Sequence, residues 1–167
     1  MKVDNVEFPI LIKVWAGRDP HDFRYIRRSL PSLLDSDLPK ATRVIFVNDH
    51  SPDSRVVPFL AECVRRSEQV ELWTNPERLG PNKGQEYNFA KLLERFPVAP
   101  YFVTCDDDII YHPGWLQRLI QVSHEAAAEG IRGVFSALNV PIPENDLWMA
   151  SRRLLDKCSL TRYTSRQ

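Results

Sequence analysis

The sequence contains a series of short apolar runs that lack the polar alternation of a half-exposed strand. They span residues 9–15, 43–47, 70–73, 101–105 and 133–138. Segments whose apolar residues recur at helical spacing separate most of these runs. Strands that are apolar throughout and alternate with helices indicate a mostly parallel sheet with helices on both faces. The sequence therefore predicts an α/β fold.

The helical segments carry their own start and stop signals. A first helix is predicted over residues 22–34, with Pro31 kinking or breaking it. Asp53 is predicted to cap the second helix, and a loop over 75–84 precedes a third helix over about 85–96. Pro113 is predicted to start a fourth helix, which Gly130 ends.

Composition limits the kinds of partner and compartment. The 167 residues suffice for one ordinary domain, and Lys plus Arg equals Asp plus Glu at 22 each. This balance provides no overall field for attracting nucleic acid, so no nucleic-acid partner is expected. No apolar stretch approaches the roughly 20 residues of a transmembrane helix, and no signal-peptide pattern is seen. Three scattered cysteines fit reduced thiols, so a cytoplasmic location is expected.

Acidic residues follow two of the predicted strands. Asp106, Asp107 and Asp108 come directly after the fourth strand, and Asp49 follows the second. Alternation along a strand predicts that Asp106 and Asp108 share one face. Ligands of open α/β sheets bind at the carboxyl ends of the strands, so both acidic sites belong to one functional edge. A divalent cation such as Mg²⁺ or Mn²⁺ would relieve the repulsion among the three carboxylates, the alternative being an exposed acidic turn.

Two segments resemble a known family. Residues 47–53 resemble the V-D-D-G-S-x-D segment of family 2 glycosyltransferases. Residues 105–108, with Pro113 and Leu116, resemble the D-x-D motif of that family and the helix start behind it. The resemblance covers roughly residues 8–138. It implies a Rossmann-like GT-A domain that binds a nucleotide-diphosphate-sugar, most often UDP-linked, and transfers the sugar with help from Mn²⁺ or Mg²⁺.

The resemblance also implies roles for the acidic residues. Asp49 would accept a hydrogen bond from the base or the adjoining ribose. Asp106 would hold the ribose hydroxyls, and Asp108 would ligate the metal that bridges both phosphates. Asp107 occupies the variable middle position of the motif, where an acidic residue is common.

Other positions complete the expected donor site, and some depart from the family pattern. At the end of the first strand, backbone groups of Val14, Trp15 and Ala16 would line the base pocket. Tyr87 stands where the family usually has a basic residue, so Lys83 or Arg78 is the candidate for the positive group. Asn48 and His50 replace the usual Asp and Gly, and both residue types tolerate the backbone angles of a turn. His112 could reach the metal, although an ordinary turn histidine is the favoured interpretation.

The predicted domain plan is a nucleotide-sugar-binding GT-A domain over residues 1–138, followed by the start of an incomplete acceptor-side region over 139–167. Within that region, residues 157–162 resemble a later strand of the family. The family's general base would lie beyond Gln167, with Glu144 and Asp146 as weak candidates within the chain. The catalytic residue therefore stays unassigned.

The leading hypothesis is a metal-dependent glycosyltransferase acting on an unknown acceptor, whether saccharide, lipid or protein. A donor-binding module without productive transfer is the first alternative. A nucleotidyltransferase is the second, but it would need a Gly-rich loop after the first strand, where residues 16–19 are a poor match. An oxidoreductase would need G-x-G-x-x-G there, and a haloacid-dehalogenase-like phosphatase would place its D-x-D after the first strand.

Overall fold

A computed structural model describes residues 6–131, 134–136 and 158–162. Its six strands form one sheet in the order β3-β2-β1-β4-β6-β5. The strands are β1 (Phe8–Val14), β2 (Thr42–Asn48), β3 (Val70–Thr74), β4 (Tyr101–Cys105), β5 (Val134–Ser136) and β6 (Cys158–Arg162). The first four run parallel to one another, whereas β6 is antiparallel to both β4 and β5. The mostly parallel sheet predicted from the apolar runs is confirmed.

Four helices cover the two faces of the sheet. They are α1 (Pro20–Leu34), α2 (Val56–Arg66), α3 (Pro81–Arg95) and α4 (Trp115–Ala128). Side chains of α1, α2 and α4 pack on one face in a large core that includes Ile10, Ile12 and Phe46. Residues of α3 pack on the other face in a smaller core with Leu11 and Phe102. Both faces of β1 are buried because consecutive residues of this strand enter different cores.

The predicted break at Pro31 and the predicted cap at Asp53 are both wrong. α1 continues through Pro31 without a break, and it starts earlier than predicted, with Asp19 as its cap. Pro31 lies in the last turn and its carbonyl accepts the Asp35 N–H at 2.9 Å, but its missing N–H removes the usual donor to the carbonyl four residues earlier. Asp53 does not cap α2, whose N-cap is Arg55. The Asp53 carboxylate instead accepts hydrogen bonds from the backbone N–H and the guanidinium of Arg55.

The start points of α3 and α4 also differ from the prediction. α3 begins at Pro81, because proline suits the first helical position after the turn at Gly80. Lys83 and Gly84 therefore lie in the first turn of a helix and not in a loop. α4 begins at Trp115 and not at Pro113, because the intervening Gly114 has a left-handed φ of 75°.

The region after β5 is described in part. Residues 158–162 form β6, so the segment predicted to be a later strand is a strand. Glu144 and Asp146 lie outside the described residues, as does most of the predicted acceptor-side region 139–167. Within the part of the chain that the structure describes, no helix is both long and apolar enough to cross a membrane.

Candidate functional site

The two acidic segments meet at the carboxyl end of β1, which lies between β2 and β4. On one side, the Asp49 backbone N–H donates to the Val14 carbonyl at 2.9 Å. On the other side, the Trp15 N–H donates to the Asp107 carboxylate at 3.2 Å. The sheet therefore brings together the residues that the sequence assigned to one edge, with Trp15 between them.

Asp49 is almost completely buried, at 1% exposed. Its carboxylate accepts the Asn75 side-chain amide at 2.8 Å and the backbone N–H groups of Leu79 and Gly80, each at 3.0 Å. A carboxylate has about four lone-pair positions, so three protein donors leave roughly one for a ligand. Asp49 thus fastens the segment between β3 and α3 to the end of β2.

Lys13 fastens the same segment from β1. Its ammonium group donates to the carbonyls of Gly80 at 2.8 Å and Pro81 at 3.1 Å. Burial lowers the pKa of Lys13, while the negative charges of Asp49, Asp107 and Asp106 act in the opposite direction. The acidic edge therefore has a partly buried cation at its centre.

Close packing of this segment depends on glycine at two positions. Gly80 has a φ of 77° and a ψ of −173°, a conformation almost confined to glycine. A Cβ at Gly84 would lie 3.2 Å from the Lys13 side chain and 3.6 Å from the Asp49 carboxylate. The first turn of α3 therefore approaches β1 and β2 more closely than a larger residue would comfortably permit.

Trp15 and Arg78 form the mouth of the site. The Arg78 guanidinium lies 3.8 Å from the centre of the Trp15 ring, in cation–π geometry. The indole Nε1 is buried and has no hydrogen-bond partner in the structure. The neighbouring Ala16 N–H donates to the Ser51 hydroxyl at 3.2 Å. This surface offers an aromatic ring with a solvent-exposed guanidinium stacked on it, while the indole N–H is buried beneath.

The three aspartates form a turn after β4 and do not continue the strand. Strand alternation consequently does not apply to them, and the prediction that Asp106 and Asp108 share a strand face is wrong. Desolvation raises the pKa of Asp107 to about 7, with further increases from Asp108 and Asp106 and an opposing hydrogen bond from Trp15. The Tyr111 hydroxyl donates to the Asp106 carbonyl at 2.9 Å and braces the turn.

The turn can offer oxygen ligands to a cation, but not a complete site. Asp106 is exposed and Asp108 is partly exposed, so solvent reaches both. Among the described residues, no three His, Cys, Asp or Glu side chains converge to hold a metal ion. Mg²⁺ commonly takes one or two protein carboxylates and completes its shell with phosphate and water oxygens. The turn fits a cation of that kind.

Two candidates from the sequence are not joined to this site. Lys83 and His112 are both exposed. Neither forms a hydrogen bond or ion pair with the acidic residues in the part of the chain that the structure describes. Sequence reasoning also missed Lys13, although a single charge inside the apolar run 9–15 was a usable signal. The role of Asn75 had no comparable signal.

A family model for glycosyl transferase family 2 matches residues 22–158, which is most of the chain. The match includes Asp49, the segment from β3 to α3, and the aspartate turn. The chain belongs to glycosyl transferase family 2. The family resemblance carried by residues 47–53 and 105–108 is thereby confirmed.

Solved structures of similar fold agree with this family 2 assignment. The crystal structure of S. aureus TarS 1-349 has a TM-score of 0.55 and 17% identity, and the match covers 83% of this chain and 39% of the TarS 1-349 chain. A mannosyltransferase, PcManGT from Pyrobaculum calidifontis in complex with GDP-Man and Mn²⁺, has a TM-score of 0.61 and 14% identity. That match covers 93% of this chain and 44% of PcManGT. The GT-A-like α/β fold is confirmed.

The family 2 chain spans less than half the length of either neighbour. At identities this low, the similarity establishes the fold of this chain. It does not assign the ligands of those proteins to this chain. A search of curated proteins gives no match.

Proposed function

We propose that this family 2 chain binds a nucleotide-diphosphate-sugar at the carboxyl end of β1 and supplies the donor side of a metal-dependent glycosyl transfer. The observation that carries the proposal is the convergence at Trp15 of two separate acidic segments and the segment between β3 and α3. A UDP-linked donor is the expected one, by resemblance to the family.

The nucleoside is proposed to bind between Trp15 and Asp49. The chain at Val14, Trp15 and Ala16 is proposed to border this space, as the family resemblance implies. Asp49 has about one acceptor position left after its three protein donors, which suits a single hydrogen bond from the base or ribose. Asp106, which is exposed at the other side of β1, is proposed to hold the ribose hydroxyls.

The diphosphate is proposed to lie between Arg78 and the aspartate turn. Arg78 is exposed, and its guanidinium can pair with two phosphate oxygens at once. Asp108 is the proposed protein ligand of Mn²⁺ or Mg²⁺, with Asp107 beside it. A cation at this place would offset negative charge growing on the diphosphate as the sugar leaves. Lys83, in the first turn of α3, stays a weaker candidate for contact with the phosphates.

The acceptor and the general base are not assigned. Glu144 and Asp146 keep their place as weak candidates, since both lie outside the described residues. A donor-binding module without productive transfer therefore remains the second candidate function. Both candidates use the same donor site, so one binding experiment tests what they share.

The binding experiment is calorimetric titration of UDP and GDP with and without Mn²⁺. Because coupling between two ligands is reciprocal, each should strengthen binding of the other. Asp108→Asn should remove most of this coupling and leave the fold intact. Asp35→Asn, which removes an exposed carboxylate paired with Arg66, is the matched control and should keep the coupling. Equal nucleotide affinity with and without Mn²⁺ would refute the metal role.

A second experiment separates transferase from binding module. General-base assistance contributes about 10²- to 10⁴-fold in rate, and no described residue is assigned to provide it. We therefore expect donor binding, slow hydrolysis of the UDP-sugar and little transfer by the 167-residue chain alone. Rapid transfer that is lost on changing Glu144 or Asp146 would show that the base lies within this chain.

A further inference from the structure

A polar cavity lies between α1 and the start of α2. Its volume is about 300 Å³, and it is lined by Phe23, Arg24, Arg27, Arg28 and Arg55. All four arginines are exposed. Since the whole chain has equal numbers of basic and acidic residues, the arginines of α1 make this cavity a local concentration of positive charge, whereas Asp53 offsets the charge of Arg55.

The arginines of α1 are placed in an unfavourable arrangement for an isolated helix. Arg24 is three residues from Arg27 and four from Arg28, so all three project from neighbouring positions of the helix. Like charges at these spacings repel and destabilise a helix. Neither Arg27 nor Arg28 forms an ion pair with another described residue. A bound anion would remove this repulsion.

The fourth guanidinium is fixed in position on the other wall. Arg55 makes a two-pronged contact with Asp53, with its Nε 3.0 Å from Oδ1 and its Nη2 2.6 Å from Oδ2. The same guanidinium lies 4.5 Å from the centre of the Phe23 ring. Phe23 in turn packs edge-on against Phe59. One wall of the cavity is therefore ordered before any ligand arrives.

We propose that this cavity is a second anion site, which binds a phosphate-bearing group outside the donor site. Planar guanidinium groups match the spacing of phosphate oxygens, and several of them suit a multiply charged anion better than a single carboxylate. The loops that precede the two walls both start at the edge of the sheet where the donor is proposed to bind. The helix α1 begins after Ala16, and Arg55 follows the loop that starts at Asp49. The proposed anion site is thus connected through two loops to the edge where the sugar donor is proposed to bind.

The phosphate can come from a soluble molecule or from a lipid headgroup, and two probes distinguish these sources. The first is calorimetric titration with inorganic triphosphate in the absence of divalent cations. The second is sedimentation with vesicles of phosphatidylglycerol and phosphatidylcholine, compared with vesicles of phosphatidylcholine alone. The test variant is Arg27→Ala with Arg28→Ala, and the control is Arg65→Ala with Arg118→Ala. The control removes the same charge from exposed helical positions outside the cavity.

We expect the cavity variant to bind triphosphate, anionic vesicles or both at least tenfold more weakly than wild type. The control variant should stay within about twofold, and binding should weaken as salt screens the charges. Titration of UDP with Mn²⁺ should be unchanged in the cavity variant, so the donor-site proposal is tested separately. Absence of binding to both probes, or equal losses in the two variants, would overturn the anion site. Loss for vesicles alone would assign the phosphate to a lipid headgroup.

Discussion

Asp49 is a buried carboxylate with three hydrogen bonds to the protein and a proposed role in ligand binding. Its three protein donors come from residues 26 to 31 positions later in the sequence. Asp49→Asn keeps the size of the side chain but turns one acceptor into a donor that faces a backbone N–H. A buried donor left without a partner costs about 1–3 kcal/mol, so we expect the free energy of unfolding to fall by that amount. Urea denaturation should show this loss of stability as a lower midpoint, with an unchanged dependence of the unfolding free energy on urea concentration.

The control for this substitution is Asp35→Asn, which breaks an exposed ion pair with Arg66. Exposed pairs contribute about 0–1 kcal/mol, so its midpoint should scarcely move. If Asp49→Asn is as stable as wild type and has lost nucleotide affinity, the carboxylate serves the ligand alone. If it does not fold, the ligand role assigned from the sequence loses its support.

Single residues differ in how far their placement could be predicted from the sequence. The edge shared by Asp49 and Asp107 was predictable, because the carboxyl ends of parallel strands meet at one edge. The turn role of His50 was predictable from residue type, and its φ of 55° bears this out. The hydrogen bonds from Asn75 and Leu79 to Asp49 were not, because they join distant segments through tertiary packing.

At the scale of elements, the start of α3 shapes the edge of the sheet where the donor is proposed to bind. Gly80 donates its N–H to Asp49 and offers its carbonyl to Lys13. Gly80→Ala has open space for the new Cβ but must adopt a φ of 77°, at a cost of about 1–3 kcal/mol. We expect the backbone to shift, with loss of stability and a roughly tenfold rise in the Kd for UDP with Mn²⁺, or about 1.4 kcal/mol.

Gly130→Ala is the matched control for Gly80→Ala. Gly130 has a φ of 78° and equally open space for a Cβ, but it follows α4 and donates its N–H to the Ala127 carbonyl of that helix. Its substitution should reduce stability by about 1–2 kcal/mol and leave the nucleotide Kd unchanged. Parallel changes in Kd for the two variants would show that strain alone, and not the position of this loop, affects binding.

Helices were predicted in the right order from apolar spacing, whereas their ends depended on turn chemistry. The segment 22–34 was recognised because its apolar residues face a core. The break predicted at Pro31 does not occur, because core packing of the neighbouring Leu30 and Leu33 offsets the loss of one backbone hydrogen bond. The prediction for Asp53 failed because Arg55 competes for its carboxylate, a contact that capping rules do not consider.

At the scale of the whole molecule, a buried thiol reports on global unfolding. Cys63 is 1% exposed, and desolvation raises its pKa to about 11. Since the thiolate is the reactive form, we expect iodoacetamide to modify Cys63 at least a hundredfold more slowly at pH 8 in the native protein than in urea. The native rate should keep rising from pH 8 to pH 10, while the rate in urea levels off near pH 9. Peptide mass spectrometry measures the rate of Cys63 modification in the native protein and in urea. Equal rates under the two conditions would show that the α2 region opens locally.

The pairing of β4 with β6 has a consequence for how this protein is made. β4 carries the aspartate turn, yet the residue beside its last position is Cys158, far later in the chain. During synthesis, one edge of β4 therefore keeps its backbone N–H and C=O groups unpaired until β6 has left the ribosome. An unpaired strand edge is a template for association with other chains, and pairing between distant segments is slow. We expect nascent chains that end before residue 158 to require a chaperone, although they already contain every residue proposed here to contact the donor.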